Sequence, residues 1–121
     1  MGYRSDICII FDAGSEENMN VLMLWYDNYK GGIEQYGFEH NFKIHSHVIH
    51  FEATDVKWYD SYADVTFIEG MYKDFTKTLG DTPDYNYEYI RIGEDTLDIE
   101  EECGGDGFNY LSVGRSIDIS F

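Results

Sequence analysis

Residues Asp55–Gly80 read DVKWYDSYADVTFIEGMYKDFTKTLG and hold the clearest helix signal in the chain. Val65, Ile68, Met71, Tyr72, Phe75 and Leu79 draw one apolar stripe on a 3.6-residue period. Such a stripe must be covered, and the segments on either side alternate apolar and polar side chains with the period of two that marks strands. The expected cover is a sheet, and the fold class α+β. The helix opens near Ser61 or Asp64 and closes at Gly80, after which Asp81, Thr82 and Pro83 forbid its continuation.

Working outward, Ile7–Phe11 is the apolar run ICIIF, rich in β-branched residues and bounded by Asp6 and Asp12. It is expected as a first strand buried on both faces or nearly so. Ser15 then stands where an N-cap belongs, followed by Glu16 and Glu17, which the helix dipole favours in a first turn. Met19, Leu22, Met23, Tyr26 and Tyr29 form the inner stripe of a first helix, and Val21, Leu24 and Trp25 widen it. That helix is either covered on two sides or partly a binding surface, and Gly31-Gly32 ends it unless Ile33–Tyr36 adds a turn before Gly37.

Phe42–Phe51, FKIHSHVIHF, reads as one second strand with His45 and His47 on the same face. Tyr85–Ile92 is a third, with Tyr85, Tyr87 and Tyr89 opposite Asn86, Glu88, Ile90 and Ile92, and Leu97 to Ile99 a short fourth. Glu100–Glu102 and the glycines Gly104, Gly105 and Gly107 read as an exposed loop, and Tyr110–Phe121 as the closing strand, interrupted at Arg115. This order is that of a ferredoxin-like or related split β-α-β sandwich, with two helices on one face of an antiparallel or mixed sheet of four to five strands. Right-handed crossovers would put the first and closing strands centrally. A length of 121 residues without repeat or linker makes residues 1–121 a single domain.

Charge narrows the function. Twenty-four Asp and Glu against eight Lys and Arg give a formal −16, which disfavours direct binding to nucleic acid and makes basic partners the expectation. With 43% apolar and 17% aromatic residues, this is no disordered acidic tail. The two cysteines, Cys8 and Cys103, and an opening MGYRSD without signal-peptide features point to a reducing cytoplasm. No apolar run approaches the roughly 20 residues of a membrane span.

Three constellations are candidates for chemistry. His40, His45, His47 and His50 are all four histidines of the chain, and His45 with His47 is the pair spaced to share a transition metal. No HExxH or CxxC motif accompanies them, and a polar strand face accounts for them equally. Glu94, Asp95, Asp98, Glu100, Glu101, Glu102 and Asp106 form the strongest charge run, either a contact surface for a basic partner or a solvated loop, without the spacing of a calcium loop. Trp58, Tyr59, Tyr62 and Tyr72, interleaved with Asp55, Asp60, Asp64 and Asp74, are either an acidic aromatic patch suited to arginine or the floor under the second helix, and core is the expected place of Trp58. Cys8 is expected to be an inert buried thiol, and no nucleophile motif, P-loop or dinucleotide fingerprint occurs. No cofactor is implied.

The pieces MGYRSDICIIF, DVKWYDSY followed by an acidic helix, YIRIGED and VGRSIDI resemble, in that order, a group of small uncharacterised proteins commonly encoded by bacteriophages. The resemblance spans nearly the whole chain and carries no catalytic residues. It implies a phage context, in which short acidic proteins often block host machinery, including defence enzymes of the CRISPR or restriction type.

The first functional reading is therefore a non-enzymatic inhibitor in the host cytoplasm that docks carboxylates onto a basic, nucleic-acid-handling groove of a host protein. Its contacts would be Glu94, Asp95, Asp98, Glu100, Glu101 and Glu102, with Asp55, Asp60 and Asp64 next. The alternatives are a metal-binding protein or small metal-dependent enzyme centred on His45 and His47, and a small-ligand or nucleotide sponge using backbone amides near Gly93 or Gly104. The wide apolar surface of the first helix is compatible with a homodimer.

Overall fold

The computed structural model describes residues 3–59, 61–79, 84–95, 97–105, 110–113 and 117–120. The run ICIIF lies in β1 (Ser5–Asp12), the central strand, whose alternate side chains are buried on opposite faces of the sheet. A 3₁₀ turn (Glu16–Asn18), α1 (Met19–Asp27) and α2 (Lys30–Gln35) follow. Then come β2 (Phe42–His45), β3 (Val48–Val56), α3 (Ala63–Leu79), β4 (Asn86–Gly93), β5 (Ile99–Gly105), β6 (Leu111–Val113) and β7 (Ile117–Ile119). The main sheet runs β2-β3-β1-β4-β5 with every neighbouring pair antiparallel. Its first four positions are the split β-α-β order, with β5 added beside β4.

The helix stripe behaves as its spacing requires. Val65, Ile68, Met71, Tyr72, Phe75 and Leu79 are buried, and they meet Ile7, Ile9 and Phe11 of β1, Phe51 of β3 and Tyr89 of β4 in one core. Leu22, Trp25 and Tyr26 of α1 join from the same side, and Phe11, Trp25 and Phe75 pack ring against ring at 4.9 to 5.4 Å. Trp58 is core, 8% exposed, and it packs on Phe51 and Phe38, whereas Tyr62 is 39% exposed. At Gly32 the ring of Phe67 comes so close that an added Cβ would collide with it, which is how α2 settles against α3.

Four expectations are corrected. Phe42–Phe51 is a hairpin and not one strand: Ser46 takes φ 56°, and the chain reverses so that His45 pairs with Val48. Glu100–Glu102 are strand and not loop, because the alternating β4 offers them a ladder from Asn86 to Ile92. The closing segment makes a separate two-stranded sheet, β6-β7, instead of a central strand, and it lies on the face opposite the helices, where Leu111 joins Cys8, Ile10, Val48 and Ile90. The first helix is broken at Asn28-Tyr29 into α1 and α2. The stop at Gly80 to Pro83, the loop residues Asp106 and Gly107, the interruption at Arg115 and the terminal Phe121 lie outside the described residues.

Candidate functional site: the acidic end of the sheet

At one end of the sheet, β1 begins, β3 and β4 finish and β5 begins, since Ser5 faces Val56 on one side and Gly93 on the other. This convergence gathers acidic residues far apart in sequence. Arg4 donates its backbone N–H to Glu94 Oε1 at 2.8 Å and its Nη1 to the carbonyl of Asp55 at 3.1 Å. Tyr3 donates its hydroxyl to Asp98 Oδ2 at 2.6 Å, while its hydroxyl oxygen accepts the N–H of Asp95 at 3.0 Å. A Cβ on Gly93 would meet both the Tyr3 hydroxyl and the Asp98 carboxylate, so a side chain there would displace this pair. Asp55, with φ 56°, donates its N–H to Asp6 Oδ1 at 2.9 Å.

Arg91 is the hub. Its side chain is on the helix face of β4, the whole residue is 8% exposed, and it donates to Asp98, Glu100 and Ser5. This grip, with the Tyr3 hydroxyl, holds the Asp98 carboxyl below the usual carboxylate range. Two of the expected contact residues, Asp98 and Glu100, are therefore already engaged by an internal cation.

The remaining candidates divide. Glu94 and Asp95 are exposed at the tip of the β4–β5 turn. Glu101 and Glu102 are exposed on β5 and, by the alternation of a strand, point to opposite faces; Glu102 lies on the helix side beside Tyr72, whose phenol is pushed up by burial and by that carboxylate. Asp64 sits in the first turn of α3 and accepts the N–H of Val65 at 2.8 Å. Asp60 lies outside the described residues.

Among the described residues, the face opposite the helices carries four of the six buried polar residues, Asp12, His50, Asn86 and Glu88, of which the sequence marks only His50 as a candidate. Glu88 is fully buried and accepts from Asn86 Nδ2 at 2.9 Å, from the N–H of Tyr110 at 3.0 Å and from that of Leu111 at 2.9 Å. Asp12 accepts the N–H of Gly14 and the hydroxyl of Tyr110. The histidines regroup as the hairpin dictates. His45 Nε2 lies 3.0 Å from His50 Nδ1, whereas His47 turns towards Asp12 at 3.7 Å. Among the described residues no group of three or more His, Cys, Asp or Glu side chains is arranged to hold a metal ion.

Cys8, on the same face, is buried, and burial together with Glu52 and Glu88 pushes its thiol up to about 12; Cys103 on β5 is exposed. Beside Cys8 an open pocket of about 190 Å³ is bordered by Asp6, Glu52, Thr54 and Ile117. Its two carboxylates are the wrong charge for a phosphate. No described helix is long and apolar enough to cross a membrane.

No protein-family model matches this chain, and neither the curated proteins nor the solved structures give a significant match.

Proposed function

We propose that the chain is a non-enzymatic binding protein whose acidic surface docks onto a basic groove of a partner built to hold nucleic-acid phosphates, and so occludes it. The observation that carries this reading is the convergence of Asp55, Glu94 and Asp95 at one end of a rigid sheet, continued along β5 by Glu101 and Glu102, in a chain of formal charge −16. Hydrogen bonds from Tyr3 and Arg4 fix this end before any partner arrives, which limits the ordering entropy lost on binding. Opposite charge speeds encounter, and carboxylates held at fixed positions satisfy the donors that would otherwise bind phosphate.

A host enzyme of nucleic-acid defence is the partner class that this reading names. Capture from a bacterial lysate at low and high salt tests it. The expected result is retention of a basic, nucleic-acid-binding protein at low salt, released by high salt and by added DNA, and weakened by Glu94→Lys with Glu101→Lys. Retention of no such protein at low salt overturns the reading.

A further inference from the structure

The strand order leaves two edges on the main sheet. β2 offers four residues, Phe42–His45, and β5 offers seven, Ile99–Gly105; among the described residues no strand pairs with the outer side of either. An edge strand presents a row of backbone N–H and C=O groups that can template another strand, and charge on it decides which strands are admitted. On β5 the charge is of one sign. Glu100, Glu101 and Glu102 are consecutive, so both faces of the edge carry carboxylate, and they stand opposite Arg91, Ile90 and Tyr89 of β4.

Two copies of this edge laid together would set glutamates against glutamates, which is destabilising. A strand with lysine or arginine on both faces would instead gain cross-strand ion pairs along with main-chain hydrogen bonds, the mode in which an extended peptide adds to a sheet. Seven residues give a platform about 23 Å long at about 3.3 Å per residue, enough for a specific register.

We propose that the outer edge of β5 receives an extended, Lys- or Arg-bearing segment of the partner as a sixth strand of the sheet. This rests on the acidic docking reading above and gives it a geometry: main-chain pairing supplies register, and Glu101 and Glu102 supply selection for cationic side chains.

Two nine-residue peptides repeating Lys-Lys-Thr, which puts lysine on both faces of an extended strand, one ordinary and one with every backbone amide N-methylated, separate strand addition from charge attraction, because their charges are equal and only the first can pair. Binding is followed by amide hydrogen exchange and by the alkylation rate of the exposed Cys103, with buried Cys8 as the silent reference. The ordinary peptide is expected to slow exchange along β5 and alkylation of Cys103, to bind about tenfold more tightly than the N-methylated one, and to lose most of that advantage in Glu101→Lys. Equal binding of the two peptides, or protection falling on β2 instead of β5, overturns strand addition while leaving acidic docking intact. If neither peptide binds, strand addition is overturned, and the lysate experiment alone then decides whether the docking reading stands.

Discussion

Arg91 grips Asp98 through two parallel hydrogen bonds, Nη2 to Oδ1 at 2.7 Å and Nη1 to Oδ2 at 3.1 Å, so that the turn between β4 and β5 is clamped to the strand it has just left. The guanidinium is nearly buried while Asp98 and Glu100 remain partly wet, at 34% and 56% side-chain exposure. Arg91→Ala is therefore expected to cost about 1–3 kcal/mol, less than the loss of a fully buried pair. The Asp98 carboxyl is held below its ordinary range by the clamp, so its contribution is present above pH about 4 and lost as pH falls through its lowered value. Denaturant melts from pH 2 to 7 should show Arg91→Ala converging on wild type at the acid end. A constant difference across that range would refute the assignment.

The His45–His50 contact predicts a second pH dependence with a separate window. The 3.0 Å contact between ring nitrogens needs at least one neutral imidazole, and burial first, then His45, lowers the His50 value from its ordinary 6.5, with Lys43 adding to the shift and Glu52 opposing it. The folded form thus resists a proton that the unfolded chain accepts. Stability is expected to fall as pH drops below about 6.5, down to the lowered folded value. His50→Asn should flatten that part of the curve; an unchanged slope would show that other groups set it.

Trp58→Ala empties a buried site between Phe51 and Phe38 and is expected to cost about 3–5 kcal/mol, a large share of the roughly 5–15 kcal/mol typical of a domain. Glu101→Lys, on an exposed edge, should melt within a few degrees of wild type. Side-by-side thermal melts check both, and a Trp58→Ala protein as stable as wild type would remove Trp58 from the core.

Glu88→Gln keeps the shape of a fully buried side chain but turns one of two engaged acceptors, Oε1 facing the amides of Tyr110 and Leu111 or Oε2 facing Asn86 Nδ2, into an N–H donor. A loss of about 1–3 kcal/mol is expected, concentrated where β6 meets the sheet. Exchange at the Tyr110 and Leu111 amides and alkylation of Cys8 should both speed up, while exchange in α3 should change little. Uniform acceleration across the molecule would mean that Glu88 serves global stability only.

The sequence was most legible where one period ran unbroken. The stripe from Val65 to Leu79 and the run ICIIF each had one structural solution, and both were found. The Ser46-His47 turn carries no glycine, proline or asparagine to announce it, so Phe42–Phe51 has the pattern of one strand although it folds as a hairpin. Glu100–Glu102 have the composition of a loop, and only their pairing with Tyr89, Ile90 and Arg91, a non-local fact, makes them a strand. The acidic candidates Glu94, Asp95 and Asp98 could be picked out by charge alone. Their fixing by Tyr3 and Arg4 spans about ninety residues of chain, a relationship no local window contains.

The central place of β1 also bears on the time course of folding. One of its neighbours lies beyond α1 and α2, and the other beyond α3 as well, so Ser5 meets Gly93 only after some ninety residues have been ordered around it. The β2–β3 hairpin and the helices rest on local contacts, whereas both pairings of β1 close long loops and carry the greater closure entropy. Until its neighbours arrive, ICIIF has neither of its edges paired, and a formal charge of −16 opposes the approach of a second copy.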